Sequence, residues 1–193
     1  MLKAAADLFF EQGYAATSID AIIDRVGGSK RNLYAEFGNK EGLFTALVAQ
    51  TAAKILSPLA IDALEGRDLR STLLAFAERM IGLYMSPALI GIYRTAIAES
   101  ARFPDLMRQF YEQGPERASL TLAGVLSDAR ARGELRDIDP RTAADLFVAM
   151  MRDNVHLQVV LGLRPPQGRR EIRAAAEAAV EVFLDGVGAS GPR

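Results

Sequence analysis

Apolar residues recur every three or four positions along most of the chain, the spacing of helices that bury one face. Leu2, Ala6, Phe9 and Phe10 begin the pattern, and Gly13 offers its first stop. Thr17 then predicts an N-cap with Asp20 in the capping-box position, ahead of a stripe of Ile19, Ile22, Ile23 and Val26. Gly27 and Gly28 break that helix. Ser29 predicts the cap of a third short helix, with Leu33 and Phe37 one turn apart on its buried face. Asn39 caps a fourth, from Lys40 to about Ser57, which Pro58 interrupts.

Longer helices follow. One spans roughly Leu69 to Met85, and Ser86-Pro87 opens another that runs to about Ala101. Phe103-Pro104 opens the next, interrupted at Gly114-Pro115 and resumed to about Arg132. Asp139-Pro140 starts a strongly apolar helix expected to continue to Leu161. Gly162 to Gly168 is a proline-rich connector, and a last helix runs from Arg169 to about Asp185. No stretch alternates with the period of two that a half-buried strand requires. The expectation is an all-α protein: a small N-terminal domain over residues 1–45, a larger helical domain over 46–186, and a frayed tail over 187–193. That boundary falls inside the fourth helix, so the two domains are expected to share a rigid element.

Composition narrows the chemistry. With no cysteine and one histidine, His156, disulfides, thiolate zinc sites, a cysteine nucleophile and multi-histidine metal sites are excluded. Asp153 and His156 have carboxylate-x-x-His spacing but no second histidine to complete it, so no metal and no cofactor are expected. No glycine-rich phosphate loop, serine elbow or paired histidine–carboxylate system is present, which points away from an enzyme. No apolar run reaches a membrane span and no signal peptide opens the chain, so the expected setting is soluble and cytoplasmic, with no membrane partner. The net charge is −1. Between Arg25 and Lys40, however, Arg25, Lys30, Arg31 and Lys40 face a single carboxylate, Glu36.

Helix, glycine turn, short polar-faced helix is the pattern of a helix-turn-helix. Ile22, Ile23 and Val26 are expected to pack on Leu33 and Phe37, while Lys30, Arg31, Asn32 and Tyr34 face outward from the positive pole of the third helix. A purely structural helical pair has the same outline. The run FFEQGYAATSIDAIIDRVGGSKRNLYAEFGNKEGLF goes further: it resembles the DNA-binding domain of the TetR family of bacterial transcriptional regulators, from Leu2 to about Val48. That resemblance implies phosphate-binding hydroxyls at Thr17 and Ser18, and it places Ser29 among the DNA-binding residues. It also implies phosphate contacts from Tyr34 and Lys40, and base reading by Lys30 and Arg31 with Asn32 beside them. Phosphate contact alone is the other reading of Lys30 and Arg31. The chain departs from the family at Gly28, where valine is usual, and at Glu36, where histidine is common. The first helix also opens almost at Met1, where relatives carry basic residues ahead of it; a late start and a missing arm both fit.

From Tyr93 to Leu163 the chain resembles the AcrR- or AefR-like branch, through YRTAIAESARFPDL, FYEQGP and GEL followed by DIDPRTAADLF. The resemblance implies a helical domain that binds a small-molecule effector and forms a homodimer. The last two long helices are the expected dimer surface, with a monomer core as the alternative. Tyr84, Met85, Tyr93, Met107, Phe110, Tyr111, Phe147, Met150 and Met151 stand where the family pocket is walled, although such stripes also build plain cores. Arg94, Asn154 and His156 are its polar candidates. The reading is a sequence-specific DNA-binding regulator, a repressor released from a palindromic double-stranded operator by an apolar or amphipathic ligand. Its rivals are a helix-turn-helix interaction protein without DNA binding and a helical enzyme.

Overall fold

The structure, a computed structural model, describes residues 1–56, 68–101 and 103–188. The predicted helix end at Ser57 and the break at Pro58 lie outside those residues. The described helices are α1 Leu2–Gln12, α2 Ile19–Val26, α3 Lys30–Phe37, α4 Lys40–Leu56, α5 Leu69–Tyr84 and α6 Pro87–Glu99. They continue with α7 Pro104–Tyr111, α8 Arg117–Ala131, α9 Pro140–Met150, α10 Asn154–Val160 and α11 Arg169–Val187. The all-α expectation holds: among the described residues the only β pairing is an isolated bridge between Leu135 and Gly188.

The chain divides into two compact units. The first comprises Met1–Lys54 with Pro87–Pro115; the second comprises Ile55–Ser86 with Glu116–Arg193. In the first, α1 packs on α2 and α6. Its core is aromatic: the rings of Phe9, Tyr14 and Phe44 meet at 5.2–5.8 Å, and Phe103 sets its edge against Tyr14 at 5.3 Å. In the second, α5 and α9 pack on α11, and α8 on α9. There the Phe147 ring stands 6.1 Å from Phe76 and 4.7 Å from Phe183.

Three expectations about the long helices are corrected. The predicted helix from Asp139 to Leu161 is two helices, because Asp153 caps a new one: its carboxylate accepts the His156 backbone N–H at 2.9 Å. That bond also accounts for the carboxylate-x-x-His spacing. Gly114-Pro115 does not interrupt the chain's helical course; Glu112–Glu116 forms a π-helical turn with Pro115 inside it, a widening that tolerates the missing proline N–H. Residues 187 and 188 belong to the fold, not to a frayed tail. Val187 closes α11, and its carbonyl accepts the Arg136 N–H at 2.9 Å.

Candidate nucleic-acid interface

The short helices are built from their ends. α1 stops at Gly13, whose φ of 84° suits glycine, and its N–H donates to Phe9 O. The predicted cap at Thr17 is one residue out: Ser18 caps α2, its Oγ accepting the Ala21 N–H at 3.0 Å. Thr17 is buried instead, with its hydroxyl 2.8 Å from Gly13 O and 3.1 Å from Leu8 O. Ser18, by contrast, is exposed. Gly27 ends α2 in the left-handed region, at φ 69° and ψ 28°. Ser29 then caps α3 as predicted, accepting the Asn32 N–H at 3.2 Å.

α2 packs on α3 with Ile22 and Leu33 fully buried. Val26, expected in that contact, is 39% exposed, and Phe37 is half-buried. Along the rest of α3, Lys30, Arg31, Asn32, Tyr34, Ala35 and Glu36 are exposed. The first turn of α3 contains no carboxylate and two cations, Lys30 and Arg31. Cations at the positive pole of a helix oppose its dipole, so this placement does nothing for the helix itself. It does suit an incoming phosphate chain.

The cations are not equivalent. Arg25 is taken up by Glu11, with Nη1 and Nη2 at 3.2 and 3.0 Å from its two carboxylate oxygens; that carboxylate raises the guanidinium's pKa. Lys30 reaches Asp20 of α2 at 2.7 Å, and the hydrogen bond to that carboxylate raises its ammonium's pKa. Arg31 makes no ion pair among the described residues. Lys40, expected to contact phosphate, places its Nζ 2.9 Å from Tyr14 O, 3.2 Å from Thr17 O and 3.4 Å from Ala15 O. Residue type alone conceals this, because the carbonyls belong to a turn some two dozen positions earlier.

The expected effector-site residues divide between the units. In the first, Tyr93 meets Phe110 edge-on at 5.8 Å; Met107 is half-buried, Tyr111 is more than half exposed, and Arg94 is exposed. In the second, Tyr84, Phe147 and Met151 are buried, and the Tyr84 ring stands 5.1 Å from His156. Asn154 is exposed at the start of α10. Met150 and Met151 line a half-open cavity of about 280 Å³ with Ile81, Ala175, Ala178 and Val182, and Asp153 and Gln167 add polar groups. Met150, Met151 and Asp153 of that lining stand at the break between α9 and α10, whose sequence signal was the polar run Arg152-Asp153-Asn154.

Residues 1–47 match the family described as bacterial regulatory proteins of the tetR family, and residues 71–186 match the C-terminal domain of AefR-like transcriptional repressors. Over 47 residues the chain is 47% identical to the HTH-type transcriptional repressor ComR of Escherichia coli K12, a match spanning 24% of this chain and only 22% of that protein. Similarity to solved structures is much more extensive. The flavonoid-responsive regulator FrrA is 36% identical with a TM-score of 0.77, covering 98% of this chain and 96% of its own. A TetR-family regulator from Mesorhizobium loti MAFF303099 is 29% identical with a TM-score of 0.83, covering 97% and 94%.

Proposed function

The chain belongs to the TetR family of bacterial transcriptional regulators, and from that premise we propose that it is a sequence-specific repressor released from a palindromic operator by a small ligand. The observation that carries the reading is the face of α3: Arg31 and Lys30 at a serine-capped N-terminus, Asn32 beside them and half-exposed Tyr34 one turn on. Arg31 is the principal base reader, since guanidinium can bond guanine O6 and N7 in the major groove and, among the described residues, no carboxylate forms an ion pair with it. Lys30 joins it only after releasing Asp20. Ser18, Ser29 and Tyr34 hold phosphates. The repressor sign follows the C-terminal domain's AefR-like likeness and the ComR match.

A second copy covers α9–α11, where Leu146, Leu157, Leu161 and Val182 each stand more than half exposed. Residues 1–45 act as the reading head, and the remainder binds the effector and the partner copy in the cytoplasm. Among the described residues no single helix is long and apolar enough to cross a membrane. The effector is aromatic or amphipathic. Tyr93, Met107 and Phe110 offer adaptable apolar surface, and exposed Arg94 imposes no buried charge that an anion would have to neutralise. The likeness to a flavonoid-responsive regulator supports a planar aromatic compound.

Selection from random duplexes should enrich a palindrome, bound by a dimer in sedimentation. The same duplex should then lose affinity as a flavonoid is added, by the factor with which DNA weakens the flavonoid. Failure to enrich any sequence would sink the reading in favour of an interaction protein. A palindrome unaffected by flavonoids, fatty acyl compounds or sugars would sink the ligand half alone.

A further inference from the structure

The geometry points to Lys40 as a positioning residue for the reading head, a clamp on the α1–α2 turn and not a phosphate contact. Lys40 is the first residue of α4, held there by Asn39, whose Oδ1 accepts the Gly42 N–H at 2.7 Å. Its side chain leaves the helix start and ends among three backbone carbonyls, at 2.9 Å (Tyr14), 3.2 Å (Thr17) and 3.4 Å (Ala15). It also stands 4.4 Å from the centroid of the buried Tyr14 ring, within range of a cation–π contact. An ammonium has three N–H groups and no acceptor. The three carbonyls are acceptors for those N–H groups and draw the ammonium into the turn.

Residues 14–17 join a helix that has ended to one that has not begun, and three of their carbonyls face the Lys40 Nζ. Lys40 supplies one compact charge to several of them at once. The consequence passes along the chain by short steps. Thr17 O immediately precedes Ser18, the cap of α2; α2 fixes α3 through Ile22 and Leu33; and α3 presents Arg31. A lysine far from the base-reading face thereby sets where that face points. The clamp itself concerns the free protein. Its effect on recognition rests on the DNA-reading proposal above.

Lys40→Arg separates the two roles, because arginine binds phosphate at least as well as lysine, whereas its planar fork cannot converge on three carbonyls around one point. In the full-length chain, hydrogen exchange of amides 14–21 should quicken at least tenfold in Lys40→Arg and in Lys40→Met. With the duplex enriched by the wild-type chain, Lys40→Arg should bind at least tenfold more weakly. Its slope of log affinity against log salt should be unchanged, as should that of Lys40→Met. Wild-type exchange in both variants, with the slope falling by about one unit only in Lys40→Met, would overturn the clamp and restore the phosphate contact. If Lys40→Met fails to fold, Lys40→Arg carries both readouts. If the wild-type chain enriches no duplex, the DNA-reading proposal fails, and the exchange rates still decide for or against the clamp.

Discussion

The α2–α3 pair and the α9–α11 group hold their helices in place by different means. α2 and α3 have eight residues each and one fully buried large side chain apiece, Ile22 and Leu33. Helices so short are unstable alone, and one buried residue anchors little. Their ends supply the rest: Ser18 and Ser29 as caps, Gly27 at the turn, Asp20 on Lys30, and Lys40 on the turn before Ser18. α9 and α11 instead bury whole faces, with Ala143, Ala144, Phe147 and Val148 on one and Ala176, Val180 and Phe183 on the other. A helix that keeps most of its surface for DNA has little left to bury, so polar and backbone chemistry must position it.

Truncations should expose that difference. Phe147 is fully buried with rings on two sides, and Phe147→Ala should cost ~3–5 kcal/mol, read by denaturant unfolding. Amide exchange should quicken throughout α5, α9 and α11. Leu33→Ala should cost ~2–5 kcal/mol, but with rapid exchange confined to α2 and α3. It should abolish selection of the palindrome while the dimer persists. Rapid exchange in α9 on truncating Leu33 would break the comparison.

Arg31→Ala tests the free face of α3. It should cost ~1–3 kcal/mol of binding and relax discrimination at one operator position, while Lys30→Ala costs less because Asp20 already engages that ammonium. Equal losses with unchanged preference, measured by repeating the selection on each variant, would show that both side chains meet only phosphate.

Sequence reading reached whatever is local and stopped where partners are distant. Gly13, Gly27, Ser29, Asn39, Pro104 and Asp139-Pro140 mark the ends they were expected to mark, because a cap or a left-handed glycine acts within four residues of itself. Thr17 and Ser18 are adjacent hydroxyls, and only the packing of Thr17 beneath Leu8 O decides which one caps. Val26 fits the apolar stripe yet ends up 39% exposed at the last position of α2. The continuous apolar pattern around Met150 and Met151 hid the break that Asp153 makes. The partners of Lys40 and Arg25 lie 26 and 14 positions earlier, beyond any spacing rule. Grouping of α6 and α7 with the first unit is likewise a matter of packing.

The two glycines of the turn sharpen the contrast at smaller scale. Gly27 sits at φ 69°, so Gly27→Ala should cost ~1–2 kcal/mol in urea midpoint terms. Gly28 has no positive φ, and a Cβ there would stand 3.6 Å from Met1 Cε and 3.9 Å from Ile23 Cδ1, which is ordinary contact. Gly28→Ala should therefore stabilise the head by ~0.4–1 kcal/mol through the unfolded chain. Destabilisation by Gly28→Ala would break the contrast.

The smallest effect belongs to the buried face, and it is a dependence on pH. His156 is buried beside the Tyr84 ring, and burial lowers its pKa from the ordinary 6.5, with Arg152 adding to that and Asp153 opposing it. The sign follows from proton counting. As pH falls through 6.5 the unfolded chain takes up a proton that the folded chain refuses, so stability declines. Above 6.5 both states hold neutral imidazole and the contribution is complete; below the folded value both are charged and nothing further is lost. The thermal midpoint should accordingly be level above pH 7 and decline from there toward pH 5.5. His156→Phe keeps a ring against Tyr84 and removes the titration, so its midpoint should stay flatter over that interval. An equally steep decline in His156→Phe would assign the loss to surface carboxylates, and the buried face would then have no titrating member.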